Sequence, residues 1–314
     1  MSNPHKTIKL NNGLNIPIIG LGTTLMKNVA EVVYQSIKDG VRLIDTASRY
    51  RNEEEVGKGI NKAISEGIVK REDLFVVTKC WLFEKDDPEK ALKNSLKKLN
   101  LSYIDLYLDH WPCGKDYTGE NKFKFISLEE LWKKFESFVE RGMTKSIGVS
   151  NYKVQNILYL LSFCKIKPVV NEVEFHPYLY QKNLKEFCDK EDIKIISYYP
   201  LVTGGNYKTR FQQYSKTIEE KKLDLLNEDI VQDLAKKYGK TPGQIVLNWH
   251  IQLGAIPIPG TSNVNRMKEN LASVEFKLEE KDVFLLSSFN DKKFRFCNPM
   301  NLFGGNLYGI NVFA

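Results

Sequence analysis

Short β-rich runs separated by amphipathic stretches recur eight times along this chain, and that alternation leaves few architectures open. The runs are Pro17–Leu21, Val41–Asp45, Leu74–Lys79, Ile104–Leu108, Thr144–Val149, Val169–Val173, Ile193–Tyr198 and Ala255–Ile258. Helical patterns lie between and after them, at Val29–Asp39, Glu53–Glu66, Pro88–Leu99, Leu128–Arg141, Val154–Phe163, Asn183–Glu191, Asn227–Tyr238, a stretch opening at Thr241-Pro242, Val264–Ala272 and Glu279–Ser288. Repeated βα units of this kind build a parallel sheet with covering helices. Thr7–Leu10 and Leu14–Ile16 flank Asn11-Asn12-Gly13, an Asn-Gly turn signal that predicts a leading β-hairpin. Asp87-Pro88-Glu89 is a helix start, a cap residue followed by proline at the first helical position.

Length alone, 314 residues, is compatible with two domains at roughly 150 residues each. No composition break or low-complexity linker divides the chain. The expectation is therefore one α/β domain over residues 1–314: a (β/α)8 TIM barrel with an N-terminal hairpin plug, two extra helices and a C-terminal tail, which the family resemblance described below implies lies over the active-site face. A doubly wound open sheet is the rival. Apolar residues at 42% and charged residues at 27% exclude collagen-like, mucin-like and wholly disordered chains.

Charge and cysteine usage narrow the partners. The excess of 46 basic over 39 acidic residues gives +7. Most lysines sit beside acids, as in Glu219-Glu220-Lys221-Lys222, which favours a solvated surface over a nucleic-acid footprint. A localised anion such as a phosphate stays open. Cysteines 80, 113, 164, 188 and 297 form no CxxC pair, which favours reduced thiols and a cytoplasmic setting. Met1–Lys6 carries no apolar leader, and the longest apolar candidate, Val154–Cys164, is interrupted by Gln155 and Asn156, so neither secretion nor a membrane span is expected. Neither the four histidines nor the five cysteines show metal-ligand spacing. Gly20-Leu-Gly22 and Gly57-Lys-Gly59 both lack the third glycine of a Rossmann fingerprint, and no Walker A motif occurs. His176 and His250 read as structural.

A barrel places its chemistry at the C-terminal ends of the strands. There the sequence carries Asp45 and then Tyr50 after the second strand, Lys79 on the third, and His110-Trp111-Pro112 after the fourth. A phenol titrates near pH ~10 and is a weak acid at neutrality. A neighbouring ammonium favours the phenolate, a carboxylate would hold that ammonium, and a neutral imidazole would orient a carbonyl oxygen. The set polarises a C=O and supplies its proton while a hydride arrives from elsewhere.

These segments resemble the aldo-keto reductases. Asp45-Thr-Ala-Ser-Arg-Tyr50-Arg-Asn-Glu-Glu-Glu-Val-Gly57 is similar to that family's DTA-x-x-Y-x-NE-x-x-VG motif. Leu106–Pro112, Gly148-Val-Ser150-Asn151, Asn171–Tyr178, Tyr198–Leu201 and Ile256–Asn270 follow its later strand ends in order. The resemblance implies NADP(H)-dependent reduction of aldehyde, ketone or aldose carbonyls, with NAD(H) as a possible cofactor, and with Tyr50 as proton donor, Lys79 and Asp45 lowering its pKa and His110 orienting the carbonyl. It implies that Ser150, Asn151 and Glu172 meet the nicotinamide carboxamide, Tyr198 stacks on the ring, and Gly22, Thr23 and Leu201 line the cofactor channel. Thr261, Ser262, Arg266, Glu269 and Asn270 would hold the adenosine end. Trp81, Trp111 and Cys297 would wall the substrate pocket, core packing being the alternative for the two tryptophans. The partner is then a small-molecule carbonyl, with no nucleic acid or membrane, and the chain works as a monomer or homodimer. A polyol or alcohol dehydrogenase running oxidatively, and a slow cofactor-binding regulatory barrel, are the alternatives.

The chain departs from the pattern at four places: Thr24 for a frequent Trp, Leu25 for a frequent basic residue, Gly260 for a common Lys, and Glu172 for the usual Gln. An ionised Glu only accepts hydrogen bonds. It would tighten the oxidised, cationic cofactor unless a nearby lysine neutralises it.

Overall fold

The computed structural model describes residues 6–115, 123–124, 127–202 and 223–297. The expected tail over the active-site face, residues 298–314, lies outside the described residues.

Strands β1 (Thr7–Lys9) and β2 (Asn15–Pro17) form the antiparallel hairpin, with Thr7 opposite Pro17. Its turn holds Gly13 at φ +88°, a conformation that glycine adopts without a Cβ clash. Asn11 donates to the carbonyls of Pro168 and Asp192, and Asn12 to Ser146 Oγ. Those three residues precede the fifth, sixth and seventh strands of the parallel sheet, so the hairpin is tied across the sheet's N-terminal end.

Eight parallel strands follow: β3 (Leu21–Gly22), β4 (Leu43–Asp45), β5 (Phe75–Cys80), β6 (Leu106–Asp109), β9 (Ile147–Ser150), β10 (Val170–Glu174), β11 (Lys194–Tyr198) and β12 (Ala255–Pro257). They lie side by side in chain order. A separate small hairpin, β7 (Gly114–Lys115) with β8 (Phe123–Lys124), hangs after β6. The two edges of the sheet meet. Gly20 N donates to Pro257 O at 3.0 Å and Gly22 N to Pro259 O at 3.4 Å, so the sheet closes as a (β/α)8 barrel rather than an open doubly wound sheet. At this seam a Cβ on Gly22 would stand 2.7 Å from Ile258 O; only a bare α-carbon lets the backbones approach. The first barrel strand is displaced from the expected Pro17–Leu21. Pro17 ends the hairpin arm, and regular parallel pairing begins only at Leu21.

Helices α1 (Val29–Lys38), α2 (Glu53–Ser65), α3 (Pro88–Leu99), α4 (Leu128–Glu140), α5 (Val154–Leu161) and α6 (Lys182–Lys190) occupy the connections. Between β11 and β12 come α7 (Asp229–Tyr238) and α8 (Pro242–Gln252), then α9 (Val264–Leu271) and α10 (Glu280–Ser287). Local chemistry sets several of these boundaries. Asp87 accepts from Lys90 N with Pro88 in the first turn. Gly239 ends α7 at φ +59°, and Thr241 with Gln244 forms a capping box ahead of α8.

Side-chain alternation along the strands positions the site. Leu43, Phe75, Val77, Leu106, Leu108, Val170, Ile196 and Ile256 form the inner cluster, together with Leu10 and Ile16 of the hairpin. Ile44, Val76, Tyr107, Val149, Val173 and Ile195 belong to the larger cluster beneath the helices. With a period of two, the inner face continues upward to Asp45, Lys79, His110, Ser150, Glu172, Glu174 and Tyr198.

Candidate active site

The polar residues at the top of that inner face touch one another. Lys79, fully buried, reaches Asp45 Oδ2 at 2.6 Å, Thr46 O at 2.9 Å, Glu172 Oε1 at 3.3 Å and the Tyr50 hydroxyl at 3.5 Å. Tyr50 stands on a single 3₁₀ turn, Ser48–Tyr50, just past β4. Glu84 braces that turn, accepting from Ser48 Oγ at 2.6 Å and from Trp81 N at 2.7 Å. The His110 ring meets Tyr50 edge-on with centroids 6.0 Å apart and Trp81 at 4.9 Å. Its Nδ1 is buried without a hydrogen-bond partner.

Burial lowers the His110 pKa well below its ordinary value, and the Lys79, Lys85 and Arg49 charges add to the effect, so the imidazole is neutral at physiological pH. Burial alone would also depress Lys79, but Asp45 and Glu172 more than compensate, and the ammonium stays charged. The phenol differs from expectation. Lys79 does pull the Tyr50 pKa down, yet burial pushes it up and the Asp45 charge, joined by that of Glu172 whenever it is ionised, pushes the same way, so the net direction is upward. Asp45 therefore assists Tyr50 only by holding Lys79 in place.

For Glu172 the second of the two expected readings applies, a lysine at hand to offset its charge. Its Oε1 lies 3.3 Å from the Lys79 ammonium and its Oε2 is buried without a hydrogen-bond partner.

The expected cofactor residues form two groups. In the first, Ser150 Oγ donates to Glu172 O at 2.8 Å, and the Asn151 side-chain amide donates to His110 O and Ser150 Oγ. The Tyr198 hydroxyl donates to Asn151 Oδ1 at 2.8 Å. Asn151 holds a left-handed φ of +63°, which asparagine tolerates better than most residues. Thr23 spends both its backbone N–H and its hydroxyl on Asp45 O, a positioning contact for the carboxylate strand. The second group surrounds the start of α9. Ser262 Oγ accepts from Lys27 N, Thr261 Oγ1 accepts from Asn263 N, and Asn263 caps Asn265 N and Arg266 N. Glu269 accepts from the Thr241 hydroxyl at 2.5 Å and lies, with Leu201, against Gly243. Arg266 is exposed, with no carboxylate partner among the described residues, and Asn270 is buried.

Of the expected pocket residues, Trp111 is buried and packs with Leu82, Trp81 and Cys113. Trp81 is half-buried, and the Arg49 guanidinium lies 5.4 Å from its ring centre. A cavity between Trp111, Asn151, Tyr152, Val173, Gln181 and Arg295 opens beside them. Cys297 is half-buried, and its N–H donates to Glu174 Oε2 at 2.7 Å. Both expected structural histidines are fully buried. His250 bonds the carbonyls of Val246 and Phe175, and His176 Nε2 meets Glu174 Oε1 at 2.9 Å.

Two supports were not foreseen. Lys85 is a buried ammonium 2.5 Å from Asp109 Oδ1, and Asp109 in turn accepts from the Tyr152 hydroxyl at 2.7 Å. Asp109 immediately precedes His110, and the Lys85 charge is among those that lower the His110 pKa. Glu174 accepts from the backbone N–H groups of Phe296 and Cys297, both at 2.7 Å, fastening the end of the described chain to β10. Two inward acids on one strand, Glu172 and Glu174, were the available signal.

Comparisons with known proteins give the family and fold. Residues 17–291 match the family described as Aldo/keto reductase family. Aldose reductase B of Dictyostelium discoideum is 38% identical over 96% of this chain and 97% of its own length. An NADP-dependent D-sorbitol-6-phosphate dehydrogenase of Malus domestica is 37% identical over 96% and 99%. A crystal structure of a Bombyx mori aldo-keto reductase in complex with NADP superposes with a TM-score of 0.87 at 34% identity, covering 98% of this chain and all of that one. The chain belongs to the aldo/keto reductase family.

Proposed function

We propose that this protein reduces aldehyde and aldose carbonyls to alcohols with NADPH, Tyr50 giving the proton to the carbonyl oxygen. Family membership makes it an NAD(P)H-dependent oxidoreductase. The observation that carries the assignment of roles is the contact of Lys79 with both Asp45 and Tyr50 beside a neutral His110. Lys79 offsets part of the cost of phenolate formation, and Asp45 keeps Lys79 aimed. Neutral His110 orients the carbonyl oxygen toward the phenol, since an uncharged imidazole donates a hydrogen bond without competing as an acid. Trp81, Trp111 and Cys297 exclude water around it.

The residues fit a nicotinamide dinucleotide. Ser150 and Asn151 offer carboxamide partners once their internal bonds are exchanged, and Tyr198 offers a ring face. Gly22 and Leu201 would flank its path toward Thr261, Ser262, Arg266, Glu269 and Asn270, where exposed Arg266 suits a 2′-phosphate by bidentate pairing. When bound, the cofactor supplies the hydride. The catalytic set is complete within one chain of a single domain, which supports a monomer, or a homodimer of independent subunits. Five free cysteines support a cytoplasmic setting.

Loss of NADPH absorbance in the presence of a panel of aldehydes, aldoses, aldose phosphates and ketones tests the reading. Turnover of aldehydes or aldoses is expected. Cofactor binding without consumption across the whole panel would favour the regulatory alternative instead.

A further inference from the structure

Four oxygen atoms compete for the Lys79 ammonium: Asp45 Oδ2, Thr46 O, Glu172 Oε1 and the Tyr50 hydroxyl. An ammonium has three hydrogens, so one acceptor goes short. The two nearest, at 2.6 and 2.9 Å, are Asp45 and Thr46. Glu172 is third, at 3.3 Å, and its other oxygen is buried without any partner. Glu172 is 1% exposed and Asp45 2%. Two ionised carboxylates against one ammonium would leave a net negative charge sealed from water, which is costly. A single proton on the pair makes the cluster neutral. The carboxylate with the shorter ammonium contact, Asp45, keeps its charge, and Glu172 takes the proton.

We propose that Glu172 is a positioning residue of the acid–base site: it carries a proton beside the Lys79–Asp45 pair, and loss of that proton as the pH rises retunes Tyr50. The surroundings support this. Asp45 comes from β4, Lys79 from β5, Tyr50 from the 3₁₀ turn, His110 from the end of β6 and Tyr198 from β11, while β9 contributes only the uncharged Ser150 and Asn151. Within that set, burial and then the Asp45 charge raise Glu172 well above the usual carboxylate range, and Lys79 only partly opposes them. Asp45 and Glu172 then titrate as a pair, in steps that belong to both. A protonated carboxyl presents one donor and one acceptor, as a glutamine amide does, so Glu172 serves at neutrality where the family resemblance leads one to expect Gln. Unlike Gln, it can later acquire a negative charge. That charge opposes phenolate formation at Tyr50 and keeps the proton donor loaded to higher pH.

Two measurements on wild type and Glu172→Gln decide the matter. The first is the infrared carbonyl signal of protonated carboxyl groups in the cofactor-free protein near neutral pH. Wild type should carry a signal that Glu172→Gln lacks. The second is the pH profile of kcat/KM for carbonyl reduction, in which the alkaline fall should move to lower pH in the variant by roughly one unit. The position of that fall is the readout, whatever the absolute rate. An unchanged carboxyl signal, or an unchanged alkaline fall, overturns the proposal. The inference rests on Tyr50 as the acid. The infrared arm uses neither substrate nor cofactor, so a failure of the Tyr50 assignment would be seen separately from a failure of the shared proton.

Discussion

The Lys79 ammonium stands 3.5 Å from the Tyr50 phenol oxygen, and it is the group there that pulls the phenol toward ionisation against burial. Tyr50→Phe keeps the ring and its edge contact with His110 but removes the transferable proton. Turnover should fall by about 10²–10⁴-fold, the usual contribution of general acid–base groups, while NADPH still quenches protein fluorescence. A variant with more than half the wild-type kcat would remove Tyr50 from the role.

Lys79→Met separates stability from chemistry. Removing one partner of a buried ion pair costs about 3–5 kcal/mol at neutral pH, because Asp45 is left buried and unpaired. Its folded pKa, already raised by burial, rises further above the unfolded value near ~3.9. A group raised in this way favours folding below its unfolded pKa and loses that contribution as pH climbs through the folded one. Urea unfolding should therefore show the variant's deficit against wild type shrinking as pH is lowered toward about 4. A deficit constant with pH would contradict the unpaired-carboxylate explanation.

Arg266→Ala bears on cofactor choice. The guanidinium is exposed and unpaired with any carboxylate among the described residues, and the adjoining Gly260 supplies no second cation. The KM for NADPH should rise severalfold, by more than tenfold if the pair is worth about 1.4 kcal/mol or more, and that for NADH should change little. Equal effects on both cofactors would place the 2′-phosphate elsewhere.

Glu174→Gln addresses the fastening of Phe296 and Cys297. Burial alone would raise this carboxyl, but the His176 hydrogen bond, the Arg295 charge and the Phe296 N–H carry it below its ordinary value. A depressed acid contributes stability above its unfolded pKa, near ~4.3, and loses it as pH falls through the folded value. Wild type should exceed the variant by about 2 kcal/mol near neutrality, the scale of hydrogen bonds to a charged group. That advantage should fade below about pH 4. Parallel denaturation curves over that range check it.

The alternation that exposed the barrel in the sequence also placed its chemistry. Val77 and Lys79, or Leu108 and His110, share a face through the period of two, and reading upward from the inner apolar residues lands on Asp45, Ser150 and Tyr198 as well. What the period cannot give is which residues meet across strands. Register brings Lys79 against Glu172 from the far side of the barrel, and no spacing along the chain encodes that contact. The Lys85–Asp109 pair is hidden for the same reason: Lys85 reads as an ordinary surface lysine until the chain brings it to Asp109 and the Trp111 carbonyl. The first barrel strand was misplaced because Ile18 and Ile19 look strand-like, whereas the backbone there turns from the hairpin toward the seam.

The closing seam also limits what residue 260 can carry. A Cβ at Gly260 would stand 3.0 Å from Gly22 O across the junction of the first and last strands, tighter than ordinary van der Waals contact. Acquiring a lysine here, and with it a second phosphate-binding cation, requires the Gly22 carbonyl to shift by some tenths of an ångström. A second cation at this position is therefore coupled to the packing of the barrel's closing seam, because its backbone and the Gly22 carbonyl share that junction.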